Sequence, residues 1–414
     1  MKKELVIIGG GPAGMAAALA AHEVGIRDIL ILERNHELGG VLTQCIHKGF
    51  GLEYFQENYT GVEYRDIFIE RIREKQIEYK IETSVTEITE NKQITAWNAT
   101  DGRLEIQATA IIIATGCRER PMGMLSIAGE RLAGIITAGT AQKYINIMGQ
   151  HVGEKIVILG SGDIGLIMAR RLTIEGKKVL CVVEQMNHPG GLIRNVIQCL
   201  DEYGIPLKVS HRVTRVIGTS RVTGVEITAA DAEGNLIAGT EEVVECDTLL
   251  LSVGLIPENE LTKMTGAKML VGTQMPETDQ WSETSVEGIY VCGNANHVHE
   301  LVDHVTVESE WAAKKAAAYI RSEAIDEALL IAMNQQRKKP EGPSNAQLYE
   351  IYKTNKEITI CTICPKSCMI HVEIDENGGR VVCGAGCKRG IDRINEIYSA
   401  NKWKIGSRIG ENVL

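Results

Sequence analysis

The chain has 414 residues, enough for two or three domains with cores of their own, and its 44% hydrophobic and 24% charged content is that of a globular protein. A net charge of −10 argues against a nucleic-acid partner, which would need a clustered basic surface. No apolar run reaches the length of about 18 residues that a membrane span requires, and a strand-like run from Leu5 leaves no room for a signal peptide, so the chain is expected to be cytoplasmic.

Leu5 to Ile8 is a short, continuous apolar run, the pattern of a parallel strand buried on both faces. Gly9-Gly10-Gly11-Pro12-Ala13-Gly14 follows, then an alanine-rich stretch from Met15 to Val24 that reads as a helix, then a second apolar run from Asp28 to Leu32 ending in Glu33. A lone G-x-G-x-x-G could be a chance glycine-rich turn. Flanked by strand, helix, strand and acid, it is a dinucleotide fingerprint: the glycines let backbone approach a pyrophosphate at the helix N-terminus. Glu33, 19 residues past Gly14, is placed to accept hydrogen bonds from a ribose diol. Gly9, Gly11, Pro12, Ala13, Gly14 and Glu33 are therefore candidate cofactor residues.

The pattern recurs. Lys155 to Leu159 is strand-like, Gly160-Ser161-Gly162-Asp163-Ile164-Gly165 opens a helix through Leu172, and Lys178 to Val183 leads to Glu184, again 19 residues past the last glycine. Gly160, Gly162, Asp163, Ile164, Gly165 and Glu184 form a second candidate set. A carboxylate at 184 bonds ribose hydroxyls and repels a 2′-phosphate, which favours NAD(H) over NADP(H).

Three further strand-to-glycine steps lie at Ile111 to Gly116 (Ile-Ile-Ile-Ala-Thr-Gly), Leu249 to Gly254 and Gly288 to Asn294. With the two fingerprints they resemble the thioredoxin-reductase-like branch of the two-dinucleotide flavoproteins, over about residues 1 to 325. The resemblance implies an α/β fold of two Rossmann-like three-layer domains, the FAD domain split by an inserted NAD domain. It implies domains at 1–125 and 253–325 (FAD) and 126–252 (NAD); composition adds a linker at 326–356, and the clustered cysteines a small cysteine-rich domain at 357–414. It adds Gly40, Gln44, Thr115, Gly116, Gly293, Asn294, Val305 and Thr306 to the FAD set and Gly254 to the NAD set. The family usually has Asp where this chain has Asn294, and no C-x-x-C occurs before residue 361, so reduction of a disulfide by a local dithiol is not expected.

The stretch Gly39-Gly40 to Gln44-Cys45-Ile46-His47, continuing to Gly51, and the stretch Gly293 to Asp303 are similar to a narrower group, flavoproteins found beside anaerobic glycerol-3-phosphate dehydrogenases and amine or opine dehydrogenases. In that group a partner flavoprotein dehydrogenase subunit oxidises the substrate while this type of subunit exchanges electrons with NAD. Cys45 is then a candidate flavin-proximal residue, with simple packing as the competing reading. His297, His299, Asp303 and His304 suggest a metal set, but they lie where the flavin-facing loop is expected, with no cysteine or second carboxylate in support, and they are set aside.

Eleven cysteines are present, six scattered and five within the 27 residues from Cys361 to Cys387. That clustering reads as a metal site in a reducing compartment. Cys361, Cys364 and Cys368 with Cys387 (Cys383 as the alternative) supply four soft thiolates, which suits a [4Fe–4S] cluster or a structural zinc. The segment 357–400 resembles the iron–sulfur domain of molybdopterin oxidoreductases and a small cysteine-rich protein often encoded beside the flavoproteins above.

The expectation is an FAD-dependent NADH oxidoreductase passing electrons between NAD(H), FAD and a [4Fe–4S] cluster, as the electron-transfer subunit of a dehydrogenase complex. The alternatives are a stand-alone NADH oxidase or acceptor reductase with a zinc-stapled tail, and a non-enzymatic redox-sensing or assembly module. Self-association into a homo-oligomer is compatible with either.

Overall fold

The structure is a computed structural model; it describes residues 1–325, 331–332, 344–354, 359–360, 369–374, 380–383 and 404–405. Two compact units share the chain: residues 1–118 with 255–339, and residues 119–254 with 340–414.

The first unit opens with β1 (Lys2–Ile8), α1 (Pro12–Glu23) and β2 (Ile29–Leu32). The last four residues of β1 and all of β2 are buried, as their unbroken apolar runs require. Pro12 sits in the first turn of α1, where a missing N–H costs nothing. Then come α2 (Gly61–Glu74), β3 (Glu78–Lys80), β4 (Ser84–Ile88), β5 (Gln93–Asn98) and β6 (Gly102–Ile113). α2 starts with a capping box in which Thr60 and Glu63 exchange side chain and backbone bonds.

β6 changes character along its length. Its first half alternates exposed and buried residues and pairs antiparallel with β5; its last four residues are all buried, and there it runs parallel to β1. One strand thus carries both patterns because one end is covered on one face and the other end on both.

The second unit contains β7 (Ile135–Thr137), α3 (Ala138–Asn146), β8 (Lys155–Leu159), α4 (Asp163–Ile174), β9 (Lys178–Val183), α5 (Ile193–Cys199), β10 (Leu207–Lys208), β11 (His211–Gly218), β12 (Val222–Ala229), β13 (Glu242–Val244) and β14 (Thr248–Leu251). A parallel sheet runs β7-β14-β8-β9-β10, and β11-β12-β13 form an antiparallel sheet of three.

The chain returns to the first unit with β15 (Ile289–Val291) and α6 (Val302–Arg321). β15 lies parallel to β6 and completes a seven-stranded sheet with the path β3-β2-β1-β6-β5-β4. α1 packs on α6, with the small residues Ala16, Ala17, Ala18, Ala20 and Ala21 of the one and Ala312, Ala313, Ala316 and Ala317 of the other in one core. Their size lets the two backbones come close.

Within the segment expected as a linker, α7 (Asn345–Thr354) is a helix docked on the second unit. Leu348 is 4% exposed and joins the core of α4 and α5 residues, and the Tyr352 hydroxyl donates to Asp201 at 2.7 Å. Leu348, Tyr349 and Tyr352 fall on one helical face, a spacing that a solvated linker does not need. Beyond it, β16 (Thr359–Ile360), β17 (Met369–Ile374), β18 (Arg380–Cys383) and β19 (Lys404–Ile405) form a small sheet. Cys361, Cys364, Cys368 and Cys387 lie outside the described residues, and Cys383 ends β18.

Candidate functional site

Each unit holds one cradle, and the two are built alike. In the first, Gly9 adopts a φ of +107°, and a Cβ there would lie 2.3 Å from the Ala114 carbonyl oxygen at the end of β6. A Cβ on Gly14 would lie 1.8 Å from the Gly9 carbonyl oxygen. The protein itself thus demands both outer glycines. The middle one differs: a Cβ on Gly11 would meet nothing nearer than the Gly40 Cα at 3.8 Å, and its φ of −76° suits any residue. Gly11 caps α1 with no side-chain hydrogen bond to the amides of the first turn. The space over this helix N-terminus suits a phosphate group brought against backbone.

Glu33, 4% exposed, closes the cradle. One carboxylate oxygen accepts from the Gly10 amide at 2.7 Å, the other from the Asn35 amide at 2.7 Å and its side-chain nitrogen at 2.8 Å. The Gly39 amide donates to the Gly10 carbonyl at 2.8 Å, folding the Gly39-Gly40 turn over the glycine loop.

The second cradle repeats this arrangement. Gly160 (φ +93°) presses on the Ser252 carbonyl, where a Cβ would lie 2.1 Å away, and Gly162 again faces only open space, with the Ser252 hydroxyl nearest at 3.4 Å. Glu184 accepts from the Ser161 amide at 3.0 Å and the Met186 amide at 2.9 Å, the same offsets as Gly10 and Asn35 from Glu33; it also takes the Ser161 hydroxyl at 2.6 Å. Gly191 donates to the Ser161 carbonyl at 2.8 Å, as Gly39 does to Gly10. Sequence reasoning missed Gly190-Gly191, Ser161 and Ser252. The signal was there: Gly-Gly begins six residues after the acid in both copies, at Glu33 and at Glu184. Both cradles fit a dinucleotide on this chemistry: a bare amide-lined helix start, a glycine that no protein atom requires, and a buried acid at the rim.

Several expected ligand residues have polar groups committed to protein. The Thr115 hydroxyl donates to the Glu258 carbonyl at 2.6 Å, and the Thr306 hydroxyl pairs with the buried Tyr64 hydroxyl at 2.7 Å. The Asp163 carboxylate accepts from the Leu192 amide at 2.8 Å and the Asn195 side chain at 2.7 Å, fixing the entry of α5. Asn294 accepts from the His299 amide at 3.0 Å and donates to the Cys117 sulfur at 3.6 Å. These four order the walls through side chains. Gly116 (φ +74°) and Gly254 (φ +99°) turn with open space where a Cβ would stand. Gly293 (φ +64°) is held close to Ala13 and Val305, so a Cβ would clash with both. Ile164 is partly buried against the second unit's core. Gly40 and Gln44 bound a short 3-10 turn that leads into Cys45.

Cys45 is buried, and burial pushes its thiol up to about 12, so it is a protonated thiol at neutral pH. Its sulfur donates to the Val41 carbonyl at 3.3 Å, and a Cβ on Gly61 would stand 2.4 Å from its own. This is packing at the start of α2, the second of the two readings of Cys45. Cys45, Cys117, Cys181, Cys199, Cys246 and Cys292 are thiols, none of them in a disulfide.

The comparisons with known proteins agree with this geometry. The family model described as "Pyridine nucleotide-disulphide oxidoreductase" matches residues 3–312. One of the subunits of the opine oxidase of Agrobacterium tumefaciens (strain Ach5) is 26% identical over 70% of this chain and 61% of its own length. Human mitochondrial dihydrolipoyl dehydrogenase is 25% identical over 70% of this chain and 62% of its own, and the hydrogen cyanide synthase subunit HcnB of Pseudomonas protegens is 24% identical over 70% and 65%. The chain thus spans about three-fifths of the length of these curated relatives. Among solved structures, the thioredoxin reductases of T. acidophilum (TM-score 0.62, 22% identity) and Lactococcus lactis (0.63, 20%) cover 78% and 77% of this chain and 99% of their own, and share its fold. Among the described residues no helix is long and apolar enough to cross a membrane. A duplicated cradle on a thioredoxin-reductase-type fold, matched by the family model over residues 3–312, means that the chain belongs to the pyridine nucleotide-disulphide oxidoreductases, FAD-dependent oxidoreductases that use a pyridine nucleotide.

Proposed function

We propose that this chain is the NADH-linked electron-transfer subunit of a dehydrogenase complex, with FAD in the first unit, NAD(H) in the second, and a [4Fe–4S] cluster on Cys361, Cys364, Cys368 and Cys387, Cys383 being the alternative fourth ligand. The single observation that carries the reading is the duplication of a complete dinucleotide cradle, down to the acid bonded by the same two backbone positions. Bound FAD supplies the hydride chemistry. The protein's part is to bind and orient. The amides at the starts of α1 and α4 face the pyrophosphates, and the Glu33 and Glu184 carboxylates receive ribose hydroxyls on the lone pairs their backbone partners leave. The Glu184 anion also disfavours a 2′-phosphate, hence NADH.

Two observations support an exit for electrons other than a local dithiol. None of the six cysteines from Cys45 to Cys292 is in a disulfide, and burial pushes Cys45, Cys199 and Cys292 up to about 12 and Cys181 and Cys246 up to about 11, far from thiolate chemistry at neutral pH. Two relatives carry names of subunits, of opine oxidase and of hydrogen cyanide synthase, which supports a partner subunit that oxidises the substrate, such as a glycerol-3-phosphate, amine or opine dehydrogenase.

The test is iron and acid-labile sulfide content, with an absorbance spectrum, on protein purified without oxygen and then titrated with NADH. About four irons per FAD and bleaching of both chromophores are expected. Zinc or no metal at the cysteines would remove the relay and leave a stand-alone NADH oxidase or acceptor reductase.

A further inference from the structure

The fold divides the potential metal ligands His297, His299, Asp303 and His304. Asp303 turns its carboxylate to the Gly51, Glu53 and Tyr54 amides at 3.2, 3.1 and 2.7 Å, and His304 pairs with Glu53 at 3.0 Å. In their place α6 delivers Glu308, whose Oε2 lies 2.7 Å from His299 Nε2 and 3.4 Å from His297 Nδ1. The three ligand atoms lie within 4.8 Å of one another.

Three features mark this as a built site. Glu308 is buried, and its other oxygen is fixed by the Gly293 amide at 3.0 Å and the Asn296 side chain at 3.2 Å, which leaves Oε2 facing the imidazoles. His299 is held by its own amide bond to Asn294, its side chain is 8% exposed, and its Nε2 has no hydrogen-bond partner, because the close approach to Oε2 lacks hydrogen-bond geometry. A bound cation would give this buried nitrogen the partner that the side-on approach of Glu308 does not. His297, at 54% exposure, is the open side of the cluster.

We propose that His297 Nδ1, His299 Nε2 and Glu308 Oε2 bind one zinc-class divalent ion, with water in the fourth position. Two imidazoles and one carboxylate are a zinc donor set, and bonds of about 2.0–2.1 Å set tetrahedral ligands about 3.3 Å apart. The His297–Glu308 separation of 3.4 Å already has that value, and the His299–Glu308 separation of 2.7 Å would open by about 0.6 Å around the ion. Gly293 and Asn296 orient the carboxylate as outer partners orient ligands in metal sites generally. The ion would stand one hydrogen bond from the Gly293-Asn294 step, and so brace the cofactor-side turn of the first unit. Its nitrogen and oxygen donors are harder than the thiolates of the cysteine-rich segment.

The test uses the full flavin-loaded chain, titrated with zinc chloride against a chelator and followed by zinc-edge X-ray absorption. A wild-type component with a nitrogen and oxygen shell at about 2.0–2.1 Å is expected, distinct from any sulfur shell at about 2.3 Å from the cysteines. His297→Ala, a change at an exposed position, should weaken that component by about 100-fold or more, since even outer-shell changes cost 10–100-fold. Glu308→Gln, which keeps an acceptor for the Gly293 amide, should do the same. Zinc bound through sulfur alone, or an undiminished nitrogen and oxygen component in His297→Ala, would overturn the assignment; the iron and sulfide content of the protein as purified tests the iron–sulfur proposal separately.

Discussion

Substituting the glycines of the first cradle by alanine, one at a time, separates what the fold needs from what a cofactor needs. In Gly14→Ala the new methyl would lie 1.8 Å from the Gly9 carbonyl oxygen and 3.0 Å from its carbon. Contact between such atoms is comfortable only beyond about 3.5 Å, so helix and strand must separate by more than 1 Å in a close-packed core, a cost of about 3 kcal/mol or more. In Gly11→Ala the nearest heavy atom is 3.8 Å away and φ is −76°, so the apoprotein should lose or gain less than about 1 kcal/mol. The same methyl occupies the path by which a pyrophosphate reaches the α1 amides, and flavin affinity should fall at least about tenfold, or 1.4 kcal/mol. The assays are urea denaturation of the flavin-free proteins and titration of each with FAD, read by quenching of flavin fluorescence. A Gly11→Ala protein that unfolds like Gly14→Ala, or that binds FAD as tightly as wild type, would refute the assignment of this loop.

Glu184→Ala should lower kcat/KM for NADH and narrow its preference over NADPH, because the 2′-phosphate no longer meets an anion and the Ser161 and Met186 amides lose their acceptor, at about 1–3 kcal/mol for a buried donor; an unchanged preference would remove Glu184 from the nucleotide site. Cys45 should resist alkylation in the native protein at neutral pH and react only on unfolding, since a thiol pushed up to about 12 has about a thousandth of the thiolate of one at 9; rapid native labelling would show an accessible thiolate. Leu348→Ala should destabilise the second unit by about 2–4 kcal/mol, measured by urea melts, where a mere linker residue would cost nothing. Burial holds the Glu310 carboxyl above its ordinary 4.5, so its contribution to stability is complete below that pH and is lost as pH rises through the raised value. Glu310→Gln, which keeps an acceptor for the Tyr54 hydroxyl, should therefore gain on wild type as pH rises from below 4.5 to neutrality, and a pH-independent difference would refute this.

The sequence alone determined the two cradles. Strand, glycine loop, helix, strand and acid are consecutive in the chain, and each feature follows from local rules: unbroken apolar runs, breakers at fixed offsets, an acid at the end of the second strand. Even the missed Gly190-Gly191 turn lies at a spacing that comparison of the two copies displays. Only the tertiary structure decided where side chains from different elements meet. It turned Asp303 and His304 away from His297 and His299 and brought Glu308 in, it spent the Thr115, Thr306 and Asn294 side chains on protein partners, and it docked Asn345–Thr354 through Leu348. Spacing along a chain fixes which residues share a face of one helix or strand, but which face meets which neighbour is settled by packing over hundreds of residues. Glu308 is remote from Gly293 in the reading of a motif, yet the turn between β15 and α6 sets its carboxylate on the Gly293 amide.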